Sequence, residues 1–512
     1  MEKKKYSAIQ LPERIAAKVG NLTQFVDLKS SVDAPAVAVS VAISLTESEK
    51  EFFSLLERFH EAMCPHAVIR VAGGWIRDKL LGKNCSDVDL VVNHTTGTNF
   101  AESLQSWLEI QNSIIKIHKI KQNPDQSKYL EVARFLFKEL SVDVVNLRKD
   151  SYVANSRRPI IALGTPREDA LRRDFTVNSL FYNIHSKRIE DYTGLGIEDF
   201  NSKVLRSSLK AAIILEDDPL RAIRAVRFIA QLKFQISKEL FAACASPSIH
   251  QKLDKLVSPQ RTGQEIMKLF DLGDTMMIGM IFLYETHLFP HVFQLEEPYF
   301  VGWEVKSREA YLAMEELLLN DRLVHTLLDI TETSFAFDKE EKLLLRLAAV
   351  LYPFFITTVS NSTRDEAIRK LLTKYIPLGK KYADRILQLL DGVKEFLRCH
   401  TLHPLDYLNA YNVEGKHLGI KFLGKFLRKY KSSVQVKKLY KLHYEDFRSI
   451  RFSFGQNIER SIGVLCFAFL SLNLMNDEET LLASNFEAIF RRISKNNRFN
   501  RALIPALIPG DE

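Results

Sequence analysis

The hydrophobic pattern of this chain changes near Asp217, and the change restricts the fold to two kinds of structure in succession. Before that point, short apolar runs of strand length, such as residues 67–72, 87–93 and 141–147, alternate with single helical segments. After it, apolar residues recur with the 3.6-residue period of a helix, as at residues 220–232. The sequence therefore predicts an α/β head with a mixed sheet, followed by an all-helical remainder.

Length and composition narrow the class of protein. A chain of 512 residues exceeds a single hydrophobic core, so we predict more than one folding unit. Lys and Arg outnumber Asp and Glu by 71 to 63, which is compatible with a polyanionic partner. The five cysteines form no C-x-x-C pair, the spacing typical of zinc ligands and redox motifs. The longest apolar stretches, residues 347–359 and 462–475, are too short for a membrane span, so we expect no membrane partner.

Two carboxylates lie in the predicted strand Asp87-Val88-Asp89-Leu90-Val91-Val92. Side chains alternate along a strand, so Asp87 and Asp89 share one face while the residues between them enter the core. Oxygen ligands at this spacing suit Mg²⁺, and a pair of such ions is the arrangement used for nucleotidyl transfer. A D-x-D pair alone is more typical of a solvated strand end.

The segment just upstream favours the catalytic interpretation. Gly73 and Gly74 fall at a predicted strand-to-helix turn, where backbone N–H groups can approach a triphosphate, and Arg77 follows one turn into the helix. The alternative is a tight turn with a surface pair between Arg77 and Asp78. Because the glycines, Arg77 and the D-x-D strand occur together, we interpret them as one nucleotide and metal site.

A third metal ligand is expected from the next apolar strand. Asp143 lies within Val142-Asp143-Val144-Val145, where an unpaired charge is costly. We predict that it joins Asp87 and Asp89. The alternative is an ion pair with Arg134 or Arg148.

A helix beginning near Asp218-Pro219 carries arginines at every third position: Arg221, Arg224 and Arg227. Asp218 and Pro219 have an ordinary structural explanation as a helix start, and an arginine stripe is usually solvated. However, a carboxylate beside a guanidinium complements the pairing edges of cytosine and adenine and mismatches uracil and guanine. We therefore predict that Asp218 and Arg221 read the base, while Arg224 and Arg227 face the phosphates.

Four motifs in this order resemble those of the tRNA nucleotidyltransferases (CCA-adding enzymes) of the class shared by bacteria and eukaryotes, fungal members in particular. The motifs are GGWIRD with DVD, RRDFTVNSLFYNI, DYTGLGIEDF and DDPLRAIRAVRF. The resemblance implies a polymerase-beta-like head, two Mg²⁺ ions, CTP and ATP as substrates, and the acceptor arm and 3′ end of tRNA as partner, with no DNA. It also implies ribose and phosphate contacts from Arg172, Arg173 and Asp174.

The resemblance suggests four segments along the chain. They are an N-terminal extension (residues 1–43), the nucleotidyltransferase head (44–200), a helical neck (201–275), and a helical body and tail that hold tRNA (276–512). We expect a protein of the cytoplasm and nucleus, with mitochondrial import as the alternative.

Two features bear on the exact activity. The fifth family motif, normally S-R-E-R, reads Ser258-Pro259-Gln260-Arg261 here, so Gln260 replaces an acid. The loop needed for A addition corresponds to residues 123–131 and looks intact. The alternatives to full CCA addition are a CC-adding or A-adding enzyme, a poly(A) polymerase and a non-catalytic tRNA-binding homologue.

Overall fold

The computed structural model describes residues 11–23, 25–27, 36–41, 43–93, 95–111, 115–120, 132–151, 160–295, 303–319, 337–357 and 361–402. The chain forms two units, Asn21–Ser258 and Met1–Gly20 with Pro259–Glu512. The boundary between them lies at the start of the fifth motif. The predicted A-addition loop at residues 123–131 and most of the predicted tail lie outside the described residues.

The described strands all belong to the first unit, Asn21–Ser258. They are β1 (Phe25–Val26), β2 (Val37–Val39), β3 (Ile69–Ala72), β4 (Asp87–Val92), β5 (His118–Ile120), β6 (Val132–Phe137), β7 (Leu140–Asn146), β8 (Arg148–Ser151), β9 (Ile160–Leu163), β10 (Leu180–Asn183), β11 (Arg188–Asp191), β12 (Val204–Leu205) and β13 (Gln235–Ser237).

The central sheet has eight strands in the order β2-β11-β10-β3-β4-β7-β6-β5. Strands β4 and β7 run parallel, and the other neighbouring pairs are antiparallel. This confirms the predicted mixed sheet. The apolar runs at residues 130–137 and 141–147, separated by three residues, predict a hairpin, and the structure forms it from β6 and β7. A small sheet of order β1-β13-β12 and the ribbon β8-β9 complete the strand pairing of the described residues.

The helices connect and cover these strands and then make up the second unit. They are α1 (Glu13–Val19), α2 (Glu47–Met63), α3 (Gly74–Leu80), α4 (Gly97–Ile110), α5 (Pro166–Leu171), α6 (Gly196–Asn201), α7 (Ala211–Asp217), α8 (Leu220–Leu232), α9 (Lys238–Cys244), α10 (Pro247–Leu256), α11 (Pro259–Phe270), α12 (Met276–Glu285), α13 (Phe289–Val292), α14 (Trp303–Leu318), α15 (Lys339–Thr357), α16 (Asn361–Lys370) and α17 (Lys380–Leu402). No helix of the described ranges is both long and apolar enough to cross a bilayer.

The two faces of the central sheet carry different residues. One face packs a large apolar cluster that includes Val88, Leu90 and Val142, with α2 and α4 supplying its helical side. Thr46 and Glu49 have the spacing that predicts a capping box, and helix α2 begins with one: Thr46 Oγ1 accepts from Glu49 N, and Glu49 Oε2 accepts from Thr46 N. The opposite face has only a small cluster beneath α5, which leaves room there for polar groups.

The second unit is helical in its described part, as the sequence pattern predicts. Its core contains an ion pair in which the Arg346 guanidinium donates to both carboxylate oxygens of Glu315, at 2.7 and 3.0 Å. Helix α11 approaches the turn after α16 closely at Gly263, where an added Cβ would lie 1.9 Å from the carbonyl oxygen of Tyr375. Only glycine fits that approach.

Several features differ from the sequence-based expectations. The apolar run at residues 114–120 predicts a strand over its whole length, but β5 begins only at His118, and residue 114 lies outside the described part. Within the predicted N-terminal extension, β2 pairs with β11 at the edge of the central sheet, and β1 pairs in parallel with β13. Strands of two or three residues carry too few side chains to show a periodic pattern, so hydrophobic periodicity could not predict them.

Candidate active site

Strand register brings three predicted acids onto one face of the central sheet. Asp89 pairs with Asp143 across the parallel strands β4 and β7, and with Ala72 across β3. Residues paired across strands project to the same side, and Asp87 shares that side because it lies two residues before Asp89. We call Asp87, Asp89 and Asp143 the carboxylate face. It lies opposite the large apolar cluster.

The charges of the carboxylate face act on one another. Partial removal of water raises the pKa of Asp89, the negative charges of Asp143 and Asp87 raise it further, and the positive charge of Arg173 opposes them. Within the described part of the chain, the carboxylates of Asp87 and Asp89 take part in no hydrogen bond or ion pair. Two adjacent carboxylates without protein partners fit a cation that completes its shell from water and phosphate, as Mg²⁺ does.

Asp143 is held differently from the other two acids. Its two oxygens accept from Nε and Nη2 of Arg134, both at 2.5 Å, and Arg134 is the residue paired with it across β6. This is the ion pair that the sequence left as the alternative. Among the described residues, no three His, Cys, Asp or Glu side chains are grouped closely enough to hold an ion as they stand.

At the glycine turn between β3 and α3, the backbone lies close to the side chain of Arg173. Gly73 has φ of +74°, and an added Cβ would lie 2.7 Å from Nη1 of Arg173. Its N–H donates to the carbonyl of Leu180 at 3.0 Å, so this amide belongs to the sheet. The turn therefore packs the Arg173 guanidinium against the backbone that precedes the carboxylate strand.

Arg77 lies in a buried network. Its Nε and Nη2 donate to the two oxygens of Asp78, both at 2.9 Å, and its Nη1 donates to Asn178 Oδ1 at 2.6 Å. The pair with Asp78 matches the structural alternative stated for the sequence, except that the guanidinium is buried rather than on the surface. Its contact with Asn178 links α3 to the segment that carries Arg172, Arg173 and Asp174.

Arg172 and Arg173 are both held by Asp169, a fully buried acid on α5 that the sequence argument overlooked. Oδ1 of Asp169 accepts from Arg172 Nε at 2.8 Å, and Oδ2 accepts from Arg173 Nη2 at 2.9 Å. The guanidinium of Arg173 also stacks on Phe181, 5.3 Å from the ring centre. The spacing of Asp169 three and four residues before the arginines was a signal for this pairing.

Asp174 joins this segment to helix α8. Its Oδ2 accepts from Arg224 Nε at 2.8 Å, and its Oδ1 accepts from Asn178 Nδ2 at 3.0 Å. Burial opposes ionisation, but Arg224 and Asn178 lower the pKa of Asp174 to about 2. Asp174 is therefore an anion that fixes α8 to the head rather than a group exposed to solvent.

The predicted base-reading pair lies at the start of α8. Helix α8 begins at Leu220 with Pro219 as its N-cap, one residue later than the sequence predicted, and Asp218 Oδ1 accepts from the N–H of Leu220 at 3.3 Å. The guanidinium of Arg221 donates to the carbonyls of Ile214 at 3.1 Å and of Arg172 at 2.7 Å. Arg221 is thus fixed by two backbone groups and is not a freely solvated member of a stripe.

Phe228 is the second residue that the sequence argument missed. The guanidiniums of Arg77, Arg224 and Arg227 lie 5.1, 5.5 and 4.0 Å from its ring centre. Arg227 is buried and also donates to Gln231 Oε1 at 2.6 Å. An aromatic residue in an apolar helical pattern gives no sign that three cations will surround it.

The mixed sheet is that of a polymerase-beta-like head domain. A family model described as the Poly A polymerase head domain matches residues 69–206. The matched residues run from β3 to the segment after β12 and so include the carboxylate face and the segment with Arg172, Arg173 and Asp174.

Comparison with curated proteins identifies the family. The tRNA nucleotidyltransferase cca2 of Schizosaccharomyces pombe is 31% identical over 375 residues, which cover 71% of this chain and 74% of that protein. The tRNA nucleotidyltransferase cca1 of the same organism is 39% identical over 236 residues, covering 45% and 47%. The mitochondrial CCA tRNA nucleotidyltransferase of Saccharomyces cerevisiae is 38% identical over 259 residues, covering 48% and 47%. The matched part thus spans about half the length of the last two relatives.

The chain belongs to the tRNA nucleotidyltransferase family, as the extended match to cca2 shows. This confirms the resemblance seen in the four sequence motifs.

Proposed function

We propose that this protein adds cytidine and adenosine nucleotides to the 3′ end of tRNA, using CTP and ATP and no nucleic-acid template. The observation that carries the proposal is the fixed position of Arg221 beside Asp218. Backbone carbonyls of Ile214 and Arg172 hold its guanidinium, and a guanidinium held in this way supports base reading by protein groups. The other elements of the site support the same conclusion.

Base selection by Asp218 and Arg221 follows from hydrogen-bond complementarity. Cytosine and adenine each present an exocyclic amine beside an unprotonated ring nitrogen, which a carboxylate and a guanidinium satisfy. Uracil and guanine present a carbonyl and a ring N–H instead, which leaves both protein groups mismatched. A guanidinium has five N–H donors, and the two carbonyls use only part of this set.

Asp87 and Asp89 are the residues that would hold Mg²⁺, with Asp143 as a further ligand when Arg134 releases it. Two such ions supply activation of the attacking 3′ hydroxyl and stabilisation of the leaving pyrophosphate. Arg173 would supply positive charge to the triphosphate, because it lies against the glycine turn and acts electrostatically on Asp89. Arg172 would contact the same substrate from its position beside Arg173.

The remaining predicted residues support the site in different ways. Arg77, Arg224 and Arg227 surround Phe228, and we propose that they bind nucleotide mainly by fixing α8 to the head. The helical unit, within predicted residues 276–512, would bind the acceptor arm of tRNA. Family membership and the basic balance of the chain support this assignment.

Extension of defined tRNAs tests the proposal. Transcripts ending at the discriminator base, at C or at CC are incubated with CTP or ATP separately, and product lengths are read on a sequencing gel. Full activity predicts addition of two C residues from CTP and one A residue only onto the CC end. Two relatives from one organism match this chain, so the assay must also separate the CC-adding and A-adding alternatives.

Other outcomes identify the remaining alternatives. Continuous extension with ATP indicates a poly(A) polymerase, and binding without extension indicates a non-catalytic homologue.

We also propose mitochondrial import beside the cytoplasm and nucleus, since a matched relative is named as mitochondrial. Fractionation of cells that express a tagged full-length chain tests this location.

A further inference from the structure

Asp169 is a buried acid at the centre of the site, and neither the motifs nor the comparisons give it a role. It lies on α5, whose first turn is closed by a capping box between Thr165 and Glu168. Its side chain is 0% exposed, while those of its partners Arg172 and Arg173 are 19% and 18% exposed. One buried anion therefore holds two cations that reach toward solvent.

The ionised form of Asp169 is secured by this arrangement. Burial opposes ionisation, but the charges of Arg173 and Arg172 hold the pKa of Asp169 below its ordinary value. The N–H of Arg148 also donates to its Oδ1, at 3.3 Å. Five N–H groups from three residues thus donate to the Asp169 carboxylate, and removal of its charge would weaken its hold on both arginines.

Arg172 and Arg173 connect Asp169 to different parts of the site. Arg173 extends over Phe181 to the glycine turn, where Gly73 leaves room for its guanidinium. Arg172 leads toward α8, because its carbonyl accepts from Arg221 Nη2 at 2.7 Å. The position of the Arg172 backbone therefore contributes to the position of Arg221.

We propose that Asp169 is a positioning residue that aligns the triphosphate-facing arginine and the base-reading arginine with each other. It holds Arg173 directly through two hydrogen bonds, and it holds Arg221 indirectly through the backbone of Arg172. This inference rests on the proposed function. It adds that nucleotide affinity and base selection depend on one buried charge that contacts no substrate.

The substitution Asp169→Asn tests this role, because it keeps the shape of the side chain and removes the charge. Loss of charge-assisted hydrogen bonds to two arginines should raise the KM for CTP and for ATP by about 10- to 100-fold. The preference for CTP over UTP, measured as the ratio of kcat/KM values, should fall by about tenfold or more. Calorimetric binding of CTP should weaken by a similar factor.

The control is Glu315→Gln in the helical unit. Glu315 is also buried and also holds an arginine, Arg346, of the same helical unit, so its substitution should destabilise that unit. The control should lower the melting temperature and leave the ratio of CTP to UTP use unchanged. Asp169→Glu, which restores the charge, should recover part of the preference.

A double substitution separates positioning from general damage. Arg221→Ala already removes the base-reading group, so adding Asp169→Asn should not lower the CTP preference further. If Asp169→Asn keeps both the CTP affinity and the CTP preference within threefold of wild type, the inference is wrong. If the wild-type protein binds CTP but extends no tRNA, the proposed function is wrong. The extension assay detects this independently of the comparison between wild type and Asp169→Asn.

Discussion

The substitution Arg134→Gln should tighten the binding of Mg²⁺ to the carboxylate face. Arg134 engages both oxygens of Asp143 at 2.5 Å. An ion that uses Asp143 must displace this guanidinium. The variant removes the competitor and, because its side chain is neutral, also makes the potential around the three acids more negative. Both effects act in the same direction.

The magnitude follows from the exposure of the pair. The side chain of Arg134 is 50% exposed and that of Asp143 is 20% exposed, so solvent screens their attraction. A bidentate pair at this exposure contributes about 1 kcal/mol, which corresponds to roughly a fivefold lower Kd for the ion. The change in potential adds to this, so fivefold is the smallest effect we expect.

Isothermal titration of the nucleotide-free protein with MgCl₂ or MnCl₂ at fixed ionic strength measures the effect. Lys138→Gln is the matched control, since Lys138 lies at the end of the same hairpin, is 48% exposed and pairs with Glu51 instead of Asp143. It removes one positive charge without freeing a ligand. An unchanged or weaker affinity in Arg134→Gln, relative to wild type and to this control, would refute the competition between Arg134 and the ion.

Three further results are expected. Asp87→Asn or Asp89→Asn should abolish nucleotide incorporation while gel-shift binding of tRNA persists, and activity in either variant would contradict the metal assignment. Asp218→Ala or Arg221→Ala should permit incorporation of UTP or GTP, and an unchanged preference for CTP and ATP would exclude the base-reading role. Asp174 should stabilise the fold by about 2 kcal/mol at neutral pH, because its pKa is lowered to about 2. This stability is present above about pH 4 and is lost as the pH falls toward 2, so denaturation of Asp174→Asn should show a flatter pH dependence over that range.

The sequence predicted the central part of the fold because long amphipathic patterns determine it. The capping box of α2, the hairpin of β6 and β7, and helix α8 all follow from spacing that a single segment carries. The register of Asp89 against Asp143 did not follow, because β4 and β7 are far apart in sequence and pair in parallel. The prediction that Asp89 and Asp143 lie close together rested only on the expectation that they bind the same metal ion.

Ion pairing is the part of the site that the sequence could not determine. Arg134 was recognised as one of two partners for Asp143, but the choice between them depends on the cross-strand register of β6 and β7. Arg77 was expected at phosphates or at the surface, and its burial beside Asn178 depends on how α3 packs on a distant segment. Local spacing gives the residue type that a site needs. The partner of each charge is set by tertiary packing.

The arginines of this site are held by other groups of the protein. A guanidinium that no other group held would form an ion pair with one of the three carboxylates. Arg134 forms such a pair and occupies both oxygens of Asp143. Arg173 is kept from Asp89 by the two hydrogen bonds of Asp169, and Arg224 is kept in place by Asp174. Buried anions on the head thus hold the cations apart from the carboxylate face. Among the described residues, Asp87 and Asp89 thereby keep carboxylate oxygens that no other side chain occupies, as ligands of a metal ion must.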